Sequence, residues 1–289
     1  MKTVNSLSGG KTSSYIAANY PADYNIFSLV RTNDKNCMFP DKKIRQEVSD
    51  RIGTEFVGTL EMDTIIYTML DLEQYIGRKI DWVTGVTFDE LINNKNGKTY
   101  LPQANFRRCS SDLKVVPIAN FWYNNIKEPV EMRIGFRANE KRRANNMLAK
   151  TDQDGYQTEK IKIEKRKTKT DRWKDFKWRT LSFPLINDNI YKDNVEVFWK
   201  DKPVRFAYMN NCVGCFHRNP LLLKHMSLKE ENKFDWFMKK ENESIEHYNG
   251  RQWYIDKNQP SYEQIKNTLK QFDLFDDDFN ECDSGYCGL

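Results

Sequence analysis

The residues Ser8-Gly9-Gly10-Lys11-Thr12-Ser13 bring two glycines, a lysine and three hydroxyl groups together directly before the helix-like run Ser14-Tyr15-Ile16-Ala17-Ala18-Asn19-Tyr20. Such a stretch is suited to hold an anion. Two glycines allow a tight turn that carries bare N–H groups onto a phosphate, and the helix that follows offers unsatisfied amides and the positive end of its dipole. Lys11 adds charge and the hydroxyls add donors. A second constellation, Val130-Glu131-Met132-Arg133-Ile134-Gly135-Phe136-Arg137, is an alternating segment that ends in Gly-x-Arg. Gly135 permits a sharp exit from a strand, Arg137 offers a planar, permanently charged fork for phosphate oxygens, and Glu140 is placed to hold an arginine. The third is Cys212-Val213-Gly214-Cys215, whose two thiolates are close enough in sequence to share one metal. Soft sulfur ligands suit an iron–sulfur cluster or tetrahedral zinc, and His217 is near enough to complete a zinc site.

These residues need a scaffold, and the pattern around them alternates strands and helices. Apolar Ile26 to Val30 and the segment Glu55 to Leu60 read as strands, and 41–52 and 64–75 as helices. Further on, 112–126 reads as a helix, Val130 to Phe136 as a strand and 139–149 as a helix. The expected fold class is α/β, a twisted, mostly parallel sheet with helices on both faces. Ligands of such sheets sit at the carboxyl ends of the strands. The Ser8 to Ser13 loop and Arg137 both fall at such ends, so they are expected to face one triphosphate. The domain reading is a nucleotide-binding unit over 1–220, with a basic insertion at 151–180, followed by a helical region and tail over 221–289.

The order of these motifs carries a resemblance. Gly10-Lys11-Thr12 could end a Walker A loop, but that loop needs a glycine where this chain has Asn5. Ser-Gly-Gly-x-x-Ser instead resembles the loop of the PP-loop ATP pyrophosphatases, the Rossmann-like group that contains the phosphoadenosine phosphosulfate reductase family. Gly135-x-Arg137-x-x-Glu140-x-x-Arg143 resembles that family's arginine block. Cys109-x-x-x-Leu113-Lys114-x-x-Pro117 resembles its cysteine helix, Phe183-Pro184-Leu185-Ile186-Asn187 a later helix entry, and Cys212-x-x-Cys215 the cluster-binding pair of its iron–sulfur members. The matches keep family order from about residue 3 to residue 220. The resemblance implies adenine-nucleotide binding, of ATP or phosphoadenosine phosphosulfate, by Ser8, Gly9, Gly10, Lys11, Thr12, Ser13, Gly135 and Arg137. It also implies a 4Fe-4S cluster on Cys109, Cys212 and Cys215, with zinc as the alternative. Ser110 stands where two-cysteine versions carry a second thiol, so the fourth ligand, Cys37, a tail cysteine or an exchangeable group, stays open. Thr12 replaces the aspartate by which many ATP-cleaving relatives help hold magnesium.

The function expected from this resemblance is a reductase-like enzyme of sulfur chemistry served by a thioredoxin-like reductant. The alternatives are an adenylylating sulfurtransferase acting on RNA or DNA, and a non-catalytic zinc-containing nucleic-acid-binding protein. Lys11 and the loop amides would stabilise developing phosphate charge. In the tail, Glu281-Cys282 and Cys287-Gly288-Leu289 each keep half of a family Glu-Cys-Gly-Leu segment, which makes Cys282 and Cys287 the candidate nucleophiles.

Residues 151–180 interleave many lysines and arginines with Trp173, Phe176 and Trp178, a pattern that can grip a nucleic-acid backbone through 160–179 and stack bases. A solvated hairpin reads equally well there, because Lys160-Ile161-Lys162-Ile163 alternates as a half-exposed strand does. The net charge of the 289-residue chain is only +5. No apolar run approaches the roughly 18 residues of a membrane span, and six cysteines are too few for a disulfide scaffold, so a cytosolic setting is expected. Subunit number, a homo-oligomer included, is left open.

Overall fold

The structure, a computed structural model, describes residues 1–93, 99–165, 171–247, 251–256 and 258–268. The chain enters a sheet at once with β1 (Lys2–Leu7), passes through the glycine loop into α1 (Lys11–Asn19), and returns as β2 (Tyr24–Ser28). Next come α2 (Lys42–Ile52) and α3 (Thr64–Ile76), both ended by left-handed glycines, Gly53 and Gly77. β3 (Asp81–Val83) is followed by α4 (Phe88–Ile92), started by a capping box in which the Thr87 hydroxyl accepts from the Glu90 amide. Residues 108–126 form one helical run: α5 (Arg108–Ser110), a π turn over Ser111–Val115, α6 (Val116–Phe121) and a second π turn over Trp122–Ile126. β4 (Val130–Arg133) leads through a short 3₁₀ turn into α7 (Lys141–Leu148). The hairpin β5 (Gln157–Lys165) and β6 (Asp171–Ser182) precedes α8 (Pro184–Asn187) and α9 (Lys192–Trp199). The described part closes with α10 (Pro220–Lys229), α11 (Glu231–His247) and α12 (Tyr262–Asn267).

The six strands form one sheet in the order β3-β2-β1-β4-β6-β5. All neighbours are parallel except the β5–β6 hairpin, so the α/β expectation is met. Alternate residues of each strand feed opposite faces. Val4 and Ile26 pack with Ile118, Trp122 and Met132 on one side, and Leu7 and Phe27 with Ile65, Met69 and Trp199 on the other. Helices therefore cover both faces, as strands buried on each side require. A third cluster joins Phe88, Leu101 and Leu113 to Val213, Phe234, Phe237 and Trp253, and fastens the last three helices to the sheet domain. Among the described residues no helix is long and apolar enough to cross a membrane.

The segment Glu55 to Leu60, expected as a strand, is outside the sheet. It makes isolated bridges through Gly58 to Thr32 and Met38, and a Cβ on Gly58 would stand 1.9 Å from the Cys37 carbonyl oxygen. Its apolar residues serve a close backbone crossing rather than a ladder. The basic insertion is a hairpin. Phe176 and Trp178 pack edge-on against Trp122, Lys177 pairs with Asp152 and Asp154, and Arg179 is buried with Nε donating to Gln157 Oε1 at 2.9 Å. Part of the charge and two of the three aromatics that suggested nucleic acid are thus spent inside the fold.

Glu241 is fully buried in α11, and its carboxylate accepts the backbone amides of Trp253 at 2.9 Å and Tyr262 at 2.6 Å. It pins the segment that carries α12. Glu241→Ala leaves two buried donors without a partner, and denaturant unfolding is expected to show a loss of about 2–5 kcal/mol. A loss below about 1 kcal/mol would contradict this role.

Candidate functional site

The order of the sheet reverses between β1 and β4, and there the two strands release the two motif loops side by side. After Leu7 the chain turns through Gly9 at φ +82°, a conformation natural to glycine, with the Ile65 side chain packed so closely that a Cβ would meet its Cγ2 at 2.5 Å. The loop is braced from within. Ser13 Oγ donates to the Gly10 carbonyl at 3.1 Å and accepts from the Ser8 amide at 3.1 Å, and the Ser8 and Ser13 hydroxyls lie 3.1 Å apart. Gly10 caps α1 without a side-chain hydrogen bond, so the helix start offers backbone amides to the cleft.

Opposite stands the block that follows β4. A Cβ on Gly135 would lie 3.5 Å from the Ser13 nitrogen and 3.5 Å from Thr12 Cγ2, so the two loops run side by side with room for about one methyl group between them. The Arg137 amide and Nε both donate to Glu140 Oε2, at 2.8 and 3.1 Å, and Arg143 donates to the other oxygen of the same carboxylate. Burial works against the ionised Glu140, but the Arg137 amide and the two guanidiniums outweigh it and hold the carboxyl below its ordinary value. Arg143 also lies 4.2 Å over the Phe136 ring. One cleft is lined by Ser8, Gly10, Thr12 and Ser13 from the first loop, by Gly135, Phe136, Arg137, Glu140 and Arg143 from the second, and by the apolar Leu7, Ile118 and Ile134.

Lys11 is placed otherwise than the sequence suggested. Its ammonium pairs with Glu196 of α9, its carbonyl accepts from Trp199 Nε1 at 2.9 Å, and it is not among the residues lining the cleft. Lys114, in the π turn after Cys109, lines the cleft instead. Its amine donates to the buried Glu61 carboxylate at 3.0 Å. Burial alone would lower its pKa, but Glu61 and the Cys212 thiol dominate and hold it above the ordinary lysine value. In the sequence Lys114 stands out only as part of the Cys109-x-x-x-Leu113-Lys114-x-x-Pro117 motif. Nothing local announced Glu61, which reaches it from a distant segment.

Lys114 also stands beside the thiols. Burial, then the neighbouring Cys215, pushes the Cys109 thiol up to about 11, while Arg107 and Lys114 oppose the shift. Burial and Glu61 hold Cys212 well above the ordinary thiol range, with Cys215 and Cys109 adding to it. The three sulfurs therefore share one electrostatic neighbourhood, although among the described residues no three His, Cys, Asp or Glu side chains are gathered closely enough to hold a metal ion. The Cys-x-x-Cys turn itself is firmly held. Val213 donates to the Leu60 carbonyl at 2.8 Å, Tyr262 to the Gly214 carbonyl at 3.0 Å, and a Cβ on Gly214 would meet the Phe237 ring at 2.3 Å. His217 is kept neutral, its pKa lowered to about 4 by burial and by Arg107 and Arg218. Cys37 is buried, with Sγ donating to the Asn232 carbonyl at 3.7 Å and its pKa raised to about 12 chiefly by burial. Cys282 and Cys287 lie outside the described residues.

Asn210 and Asn211 complete the cleft and run directly into Cys212. A Cβ on Gly10 would stand 2.7 Å from Asn210 Nδ2, so the asparagine amide sits over the glycine loop. The loop and the thiol turn are therefore joined by two residues of chain. No protein-family model, curated protein or solved structure matches this chain.

Two outcomes follow from this geometry. Gly9→Ala meets both a positive φ and the Ile65 methyl, so thermal or urea unfolding is expected to show a loss of at least about 1–3 kcal/mol; an unchanged stability would mean that the loop is not held as described. In chelator-treated protein, alkylation of Cys109 followed by peptide mapping is expected to speed up about tenfold per pH unit between pH 8 and 10, because its thiol is raised to about 11 and the thiolate fraction is still rising there. A rate already level at pH 8 would contradict the raised thiol.

Proposed function

We propose that the chain is an enzyme that binds an adenine nucleotide in the β1/β4 cleft and carries out sulfur chemistry at the thiol end of that cleft, in the manner of phosphoadenosine phosphosulfate reductases. The observation that carries this reading is the meeting of the Ser8 to Ser13 loop with the Gly135 to Arg143 block in one cleft. Backbone amides at the start of α1 and the Arg137 fork hold the phosphate or sulfate oxygens. Leu7, Ile118, Ile134 and Phe136 give the cleft an apolar side on which a purine can lie. Thr12 supplies a hydroxyl toward the anion.

Lys114 is the residue through which the anion and the thiols communicate. Its charge is balanced by Glu61, so it presents a fixed cation between the cleft and Cys109 and Cys212 rather than a mobile one. A preorganised cation of this kind stabilises negative charge that develops on a sulfate or phosphate without reorganisation at the moment of reaction. Cys109, Cys212 and Cys215 are the residues that would hold an iron–sulfur cluster, their soft thiolates being the ligands such a cluster takes, although as placed they are not gathered closely enough for a metal ion.

Equilibrium binding of ATP and of phosphoadenosine phosphosulfate tests the reading. Arg137→Lys keeps the charge but loses the fork and is expected to weaken binding about tenfold, the worth of a charge-assisted contact, while Lys11→Met changes it less than about threefold. The nucleotide that binds tighter, together with release of sulfite or of pyrophosphate, separates the reductase from the adenylylating chemistry. Equal affinity of the parent and Arg137→Lys for both nucleotides would remove the site.

A further inference from the structure

Asn210 lines the nucleotide cleft but belongs to neither of its two loops. Its neighbours are fixed from outside. Met209 is buried in the third core cluster, and Asn211 is buried with its carboxamide oxygen turned to a guanidinium, accepting from Arg218 Nη2 at 3.0 Å while its nitrogen donates to the Asn210 carbonyl at 3.2 Å. Beyond them Val213 donates to the Leu60 carbonyl at 2.8 Å and the Arg218 amide to the Cys215 carbonyl at 2.9 Å. The backbone at Asn210 is thereby held, and its half-buried side chain is left to the cleft. Among the described residues the Asn210 carboxamide makes no hydrogen bond. A carboxamide drawn partly out of water without a partner costs free energy that a ligand group would recover.

The glycine loop shows what this carboxamide leans on. Gly10 has φ −92° and ψ 158°, extended backbone open to any residue, so its own conformation does not call for glycine. Space does. A Cβ there would meet Asn210 Nδ2 at 2.7 Å, Cγ at 3.1 Å and Cβ at 3.6 Å, and these are its three nearest heavy atoms. The missing side chain at position 10 makes room for the carboxamide over the residue that caps α1, beside the amides that open the helix. The cations that line the cleft are each held by a carboxylate, Arg137 and Arg143 by Glu140 and Lys114 by Glu61, and the lysine of the loop is turned to Glu196. A neutral donor at Asn210 takes a place beside the loop that this lysine does not fill.

We propose that Asn210 is a ligand-contacting residue of the cleft: its Nδ2 donates to an oxygen of the phosphate or sulfate group held at the start of α1, and position 10 is glycine to admit it. The inference deepens the nucleotide reading of the cleft and rests on it. Because Asn211 and Cys212 follow directly, the residue that touches the anion also ties it to the thiol turn.

Equilibrium binding of whichever of ATP and phosphoadenosine phosphosulfate the parent holds more tightly provides the test, with Arg137→Lys as the control for the cleft itself. Asn210→Ala is expected to weaken binding about tenfold, the worth of one hydrogen bond to a charged group, and Asn210→Asp, of the same size but anionic, to weaken it further. Gly10→Ala pushes the carboxamide aside and is expected to cost about as much as Asn210→Ala, yet less than about twofold in protein that already carries Asn210→Ala. Gly10→Ala alone, which leaves residue 210 intact, gives the same readout should Asn210→Ala not fold. Three results would overturn the proposal: Asn210→Ala within about twofold of the parent, Asn210→Asp binding as well as Asn210→Ala or better, or Gly10→Ala costing the same in both backgrounds. A loss on Arg137→Lys with none on Asn210→Ala would sink this contact alone, whereas a parent that binds neither nucleotide sinks the cleft reading and the contact with it.

Discussion

Parallel pairing of β1 with β4, from Lys2 opposite Val130 to Asn5 opposite Arg133, decides where two loops from distant parts of the chain emerge. β1 continues outward to β2 and β3, while β4 continues the other way to β6, so no strand lies between the two exits. A crevice at that reversal is a consequence of the topology and is filled by whatever the two loops carry. Here one loop carries glycines and backbone amides, and the other carries arginines. The two loops run close at Gly135, where a Cβ would be in ordinary van der Waals contact with Ser13 and Thr12.

Charge around this crevice is arranged in held pairs. Glu140 grips Arg137 and Arg143, Glu61 grips Lys114, and Glu196 grips Lys11. Burying isolated cations would be costly, and each carboxylate reduces that cost while fixing the direction of its partner. The pairing also sorts the cations. Lys11 is drawn to α9 and away from the cleft, whereas Lys114 is anchored from behind and faces both the cleft and the thiols. A bound anion would meet a rigid positive wall, which favours binding by groups already in place over binding by rearrangement.

Much of this could be read in the residues, and what could not has a common cause. The glycine loop, the Gly135 to Arg143 block and the alternation of the hairpin are short-range patterns, and each appears where its local chemistry requires. The pairing of Lys11 with Glu196 is not legible in residues 8–13, because Glu196 stands far along the chain and nothing local reveals that a helix will dock there. The importance of Lys114 is hidden for the same reason, since it comes from Glu61 and from the thiols of two separate segments. Phe176 and Trp178 looked like a base-stacking set, but their exposure depended on Trp122 of another element, which covers them. The strand expected at Glu55 to Leu60 failed because an apolar run cannot distinguish a ladder from a buried crossing, and only the 1.9 Å that a Cβ on Gly58 would leave to the Cys37 carbonyl oxygen identifies the latter.

The proposed nucleotide site requires the two loops to act on one ligand, and hydrogen–deuterium exchange with and without ATP examines that most directly. Slower exchange is expected together in residues 8–14, in 135–143 and in the Asn210 to Cys215 turn that leans on Gly10. Protection of only one of these segments, or protection confined to other parts of the sheet, would contradict it.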